Sequence, residues 1–130
     1  MLEYVQGDGN AAIHLRTGHF AKTDFNALSN RVKDADAIIY VGGISPQLEG
    51  EEMKVNLPGF NGGDRTSIML PTVQTELLKS LHATGKPVVV MINAGRPLVF
   101  NWTSENVPAI LYTWWLGSEA GNAIADVLFG

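Results

Sequence analysis

A chain of 130 residues, 45% hydrophobic and 17% charged, has room for one domain with one sizeable core; two full domains and a disordered chain are excluded. Thirteen acids against nine bases give a formal net charge of -4, which argues against a surface built to neutralise nucleic-acid phosphates or anionic lipid and favours a small neutral partner. The absence of cysteine excludes disulfides, thiolate nucleophiles and thiolate metal sites, and the longest apolar runs, near 88–94 and 110–116, fall far short of the ~20 residues that span a bilayer.

Residues 1–9 lack the basic start and apolar stretch of a signal peptide. Tyr4-Val5 and the stretch 11–16 read as two short strands around the Gly-rich turn 7–10. A lone hairpin is marginal in water, so it packs on the body or is the remnant of something larger. Phe25, Leu28 and Val32 then follow helical spacing, with Asp24 as N-cap and residues 33–36 as the stop. The continuous apolar run 37–41, halted by Gly42-Gly43, predicts a strand covered on both faces, hence helices on both sides of a sheet.

From 44 to 70 there is no sustained period, and Pro46, Gly50, Pro58, Gly59, Gly62 and Gly63 punctuate a connection far longer than the ~4–6 residues usual in compact domains. Such a loop is functional or disordered. Pro71 starts a helix whose Val73, Leu77, Leu78 and Leu81 form one apolar stripe, ending near Thr84-Gly85. Residues 87–93 predict a second buried strand and 108–114 a third, and Ser118 caps a final helix through Ala123, Ile124, Val127 and Leu128. The alternation defines an α/β fold: a mostly parallel sheet flanked by helices, with a short N-terminal β-hairpin. Because ligands collect at the carboxyl ends of parallel strands, the long loop leaving the strand at 38–41 is the candidate site.

Within that loop Glu49, Glu51 and Glu52 place three carboxylates in four residues. Two readings stay open: a solvated loop tip, or crowded carboxylates of which one, in a drier pocket, serves as a general acid. The spacing does not fit an EF-hand calcium loop. Gly42-Gly43 is followed by neither G-x-G-x-x-G nor Gly-Lys-Ser/Thr, which disfavours nucleotide chemistry. His14, His19 and His82 are dispersed and read as surface residues, Ser45 and Ser118 as turn and cap. Trp102, Trp114 and Trp115 are either sugar platforms or core aromatics, and a buried strand favours core. Asn101-Trp102-Thr103 fits the glycosylation sequon, and Asp64-Arg65 reads as a turn whose Arg holds nearby carboxylates.

The segments 36–43, Glu49-Gly50-Glu51, Gly63-Asp64-Arg65, Leu70-Pro71-x-x-Gln74, 85–90, 106–111 and 121–130, in this order, closely resemble the C-terminal α/β-sandwich domain of family 3 glycoside hydrolases, the β-glucosidase and β-xylosidase family. The resemblance covers residues 24–130. It implies a retaining enzyme in which a barrel domain supplies an Asp nucleophile and this domain lends the acid/base glutamate. Carried onto this chain, the second Glu of the Glu-x-Glu element is Glu51. The extra acid Glu52 and the insertion 53–62 make Glu49 and Glu52 rivals, with Asp64 and Arg65 as loop-positioning residues.

The implied substrate is a β-glucoside, β-xyloside or oligosaccharide; no cofactor, metal, nucleic acid or membrane is implied, and the parent is expected to be periplasmic or secreted. Residues 1–18 resemble the last strands of a PA14 module, which some members carry inserted in this domain. The chain is therefore expected to be an excised piece of a larger hydrolase, inactive without the barrel domain that carries the nucleophile. The alternative, from another class, is a non-catalytic carbohydrate-binding or interaction domain.

Overall fold

A computed structural model of the chain describes residues 2–6, 11–15, 25–49 and 54–130. In chain order its elements are β1 (Leu2–Gln6), β2 (Ala11–Leu15), α1 (Phe25–Arg31), β3 (Ile38–Gly43), α2 (Pro46–Glu49), β4 (Phe60–Asn61) and β5 (Asp64–Arg65). There follow α3 (Thr72–His82), β6 (Val88–Asn93), α4 (Asn101–Asn106), β7 (Ala109–Tyr112) and α5 (Ala120–Phe129).

The expected α/β fold is present, with five strands in the order β1-β2-β3-β6-β7. β1 is antiparallel to β2, and β2, β3, β6 and β7 run parallel. The hairpin is thus the edge of the main sheet, with Ile13 of β2 opposite Tyr40 of β3. Its N-terminal edge aside, each parallel strand lies beside its predecessor, so the sheet grows in one direction. Right-handed crossovers stepping one way deliver their helices to one face. Accordingly α3 packs on β3 and is contacted by both α1 and α4. On that face Ile38 and Tyr40 of β3 are fully buried, whereas Ile39 and Val41, pointing the other way, are half-buried.

The core lies between α3 and the sheet. Leu77, Leu78 and Leu81 meet Ile38, Tyr40, Val88, Val90 and Ile92, each buried side chain contributing about 1.5–3 kcal/mol of transfer free energy. Val73 is only half-buried, and the polar Gln74 takes the deep position beside it. α3 begins where expected, with the Gln74 and Thr75 amides bonded to the Pro71 carbonyl. It ends in a turn that closes on Gly85 at φ +74.

Three features depart from the sequence reading. The stretch 44–70 contains α2 and a small hairpin, β4–β5, whose two-residue Gly62-Gly63 turn places Gly62 at φ +61. α4, only six residues, is too short to display a period; it buries Thr103 and packs Trp102 against the core. The first turn of α5 is capped at Glu119 rather than Ser118, with no side-chain cap bond, and none of its residues is buried. The expected N-cap Asp24 lies outside the described residues. Among the described residues no helix is long and apolar enough to cross a membrane.

Candidate active site

The carboxyl ends of β3, β6 and β7 are laced together by polar contacts. Gly43, the last residue of β3, sits at φ +120 with its backbone so close to Asn93 that a Cβ there would lie 2.0 Å from the Asn93 carbonyl oxygen. Only glycine fits that approach. Gln74, buried at 1% exposure, fills the space on the α3 side: its Nε2 donates to the Gly43 carbonyl at 2.7 Å, and its Oε1 accepts from the Gly43 amide at 2.8 Å and from the Tyr40 hydroxyl at 2.9 Å. All three partners are satisfied, so the burial of an amide and a phenol here carries no orphan cost. Burial pushes the Tyr40 hydroxyl well above the ordinary phenol range.

β3 then hands over to α2. The Ile44 amide donates to the Asn93 carbonyl at 2.8 Å, and Ser45 caps α2, its Oγ accepting from the Leu48 amide at 3.2 Å. Glu49, the last residue of α2, is 5% exposed. Its Oε2 lies 2.7 Å from Arg96 Nε, in the turn after β6. The contact is one of charge, since neither Glu49 oxygen receives an aligned hydrogen bond. The Arg96 carbonyl in turn accepts from the Tyr112 hydroxyl at the end of β7. Burial, reinforced by the negative charge of Glu49 and opposed by a backbone hydrogen bond at Leu98, raises the Tyr112 phenol.

The sequence singled out Arg65 as the cation holding the carboxylates. In the structure its Nε and Nη2 donate to the Ser67 and Met69 carbonyls at 2.8 and 2.9 Å, and its guanidinium lies 4.3 Å from the Phe60 ring centroid. Arg65 thereby braces the β4–β5 hairpin. Burial lowers its pKa, with Glu49 opposing that shift and Arg96 adding to it. Asp64 is exposed on β5 opposite Asn61. Arg96 was missed by sequence reasoning, and nothing in Gly95-Arg96-Pro97 distinguishes it from a turn arginine.

The remaining candidates fall into two groups. Glu51 and Glu52 lie outside the described residues, as do His19 and the side chain of His14. His82 is exposed on α3, edge-on to Trp102 at 5.7 Å. Trp102 packs on the core, but Trp114 and Trp115 are 48% and 43% exposed, just past the end of β7. Trp115 Nε1 donates to the Ile44 carbonyl at 3.2 Å, and its ring lies where a Cβ on Gly95 would be. Trp114 adopts φ 52, a strained value for a bulky residue, with its ring edge-on to Tyr112 at 5.1 Å. Among the described residues no three His, Asp or Glu side chains converge on a metal position.

Strands β2, β3, β6 and β7 thus run parallel, β3 leaves the sheet through a glycine-locked exit, and the buried Glu49 follows that exit. The model of the glycosyl hydrolase family 3 C-terminal domain matches residues 3–130, and the chain belongs to that family. The match includes the N-terminal hairpin. Among curated relatives, the chain is similar to a xylan 1,4-β-xylosidase of Xylanibacter ruminicola, 48% identical over 107 residues, covering 82% of this chain and 12% of the relative. A periplasmic β-glucosidase of Salmonella typhimurium is 42% identical over 98 residues, covering 75% of this chain and 12% of the relative. Among solved structures, the Bifidobacterium adolescentis family 3 β-glucosidase superposes with a TM-score of 0.68 at 29% identity, covering 86% of this chain and 16% of that one. The chain thus corresponds to part of the C-terminal domain and spans about an eighth of the curated relatives it matches.

Proposed function

We propose that this chain supplies the general acid/base, Glu51, to a retaining β-glycosidase that removes terminal β-linked glucose or xylose, with the Asp nucleophile on a barrel domain of the parent. The observation that carries the reading is the family match over residues 3–130, together with relatives named as β-xylosidase and β-glucosidase. Retaining hydrolysis needs one carboxylate to attack the anomeric carbon and another, ~5–5.5 Å from it, to protonate the leaving oxygen and then to deprotonate water. Two residues on one short stretch cannot flank a glycosidic bond from both sides, so the nucleophile belongs elsewhere in the parent and the isolated chain is inactive. What supports Glu51 over Glu49 is that Glu49 is turned inward, 5% exposed and against Arg96. A carboxyl group turned inward onto a guanidinium is not presented to a sugar oxygen.

The test is Glu51→Ala in the full-length parent. Turnover of substrates with poor leaving groups should fall about 10²–10⁴-fold, and activated aryl glycosides should be spared in part and rescued by azide. Wild-type turnover would move the role to Glu52 or Glu49, to be read from the same substitution at each.

A further inference from the structure

The Arg96–Glu49 pair lies outside the apolar core, yet it joins three strand ends. Glu49 closes α2, which follows β3; Arg96 belongs to the turn after β6; and Tyr112, which donates to the Arg96 carbonyl, ends β7. The side chains differ in exposure, 40% for Arg96 and 6% for Glu49, so Arg96 brings a counter-charge from the surface to a carboxylate that is already dry. Arg65 also acts on Glu49 through its charge, but its Nε and Nη2 are held by the Ser67 and Met69 carbonyls, and among the described residues Arg96 is the cation in ion-pair contact with Glu49.

We propose that Arg96 is a positioning residue for the general acid: by pairing with Glu49 it fixes the end of α2, the point from which the acidic stretch departs. The inference rests on the reading above, in which that stretch carries the acid/base. Glu49 precedes Glu51 by two residues, so at ~3.8 Å per virtual bond the chain tethers Glu51 close to wherever the end of α2 is held. Removing Arg96 takes the contacting cation from a buried carboxylate and leaves only the more distant charge of Arg65, and the cheapest relief is for the end of α2 to move until water reaches Glu49. Misplacing a reacting group by about 1 Å costs on the order of 10²-fold in rate.

The experiment uses the full-length parent with aryl β-glucosides and β-xylosides of graded leaving-group ability. Arg96→Met should lower kcat for the poorest leaving groups by about 10–100-fold with KM within about twofold, and the loss should shrink as the leaving group improves. Arg96→Lys, which keeps the charge, should recover much of that loss. A loss independent of leaving group, a change confined to KM, or wild-type turnover would overturn the role. Should Arg96→Met not accumulate as folded enzyme, Arg96→Lys decides alone: a partial loss selective for poor leaving groups supports the assignment, and a uniform loss or none overturns it. Glu51→Ala run alongside separates the two readings. If that variant is crippled while Arg96→Met is normal, only the positioning role falls; if Glu51→Ala is normal, the general-acid reading itself falls.

Discussion

α3 and α5 are helices of similar length with comparable apolar spacing, and their fates are opposite. α3 buries Gln74, Leu77, Leu78 and Leu81 between β3 and the helices α1 and α4. α5 buries no residue fully: Ile124 and Leu128 are half-buried, and Val127 and Phe129 are 67% and 72% exposed. The contrast extends to the strands beneath. Tyr40, in mid-sheet, is sealed with its hydroxyl satisfied, whereas Trp114 to Leu116, past the end of β7, are all more than 40% exposed. An apolar stripe gives a helix a face that can be buried; the element laid against that face determines whether it is.

Substitutions on the two sides of the molecule test this contrast. The largest effect is expected at Gly43. Alanine there would bring a Cβ to 2.0 Å from the Asn93 carbonyl oxygen on a backbone at φ +120, and should cost about 3–5 kcal/mol in urea unfolding. A loss below about 1 kcal/mol would mean that the β3 exit is not locked. Tyr40→Phe removes one donor to Gln74 and should cost about 1 kcal/mol at neutral pH. It should also remove a pH dependence: burial raises the folded phenol pKa, so its contribution is complete below the unfolded value of ~10 and declines as pH rises beyond it, by about 1.4 kcal/mol per unit. Unfolding followed from pH 8 to 11 should therefore fall more steeply for the wild type than for Tyr40→Phe, and parallel curves would contradict the sealed phenol. The smallest effect is expected on α5, where Val127→Ser should change stability by no more than ~0.5 kcal/mol. A loss above about 1 kcal/mol would show α5 to be packed and erase the difference from α3.

Much of the buried half is legible in the amino-acid sequence. The run beginning at Ile38, its partner beginning at Val88 and the stripe on α3 became β3, β6 and the helix above them. Continuous β-branched runs and a 3.6-residue repeat are strong local signals. α2, α4 and the β4–β5 hairpin were not read, because elements of two to six residues show no period. At the carboxyl edge, Glu49 was legible as one of three clustered acids, but its partner Arg96 lies 47 positions on, and an ion pair across that separation leaves no mark in local spacing. Trp114 and Trp115 show the opposite failure: strand-like neighbours implied burial, whereas the strand stops at Tyr112 and turns them outward.

The order of apolar runs, glycines and prolines was sufficient by itself to dictate an α/β chain and to place an acidic stretch after its first central strand, since those preferences are local to each segment. Which face of the sheet the helices cover, which cation meets Glu49 and which aromatics stay in water were settled only when distant segments met, because burial and charge pairing are properties of neighbours in space rather than in sequence.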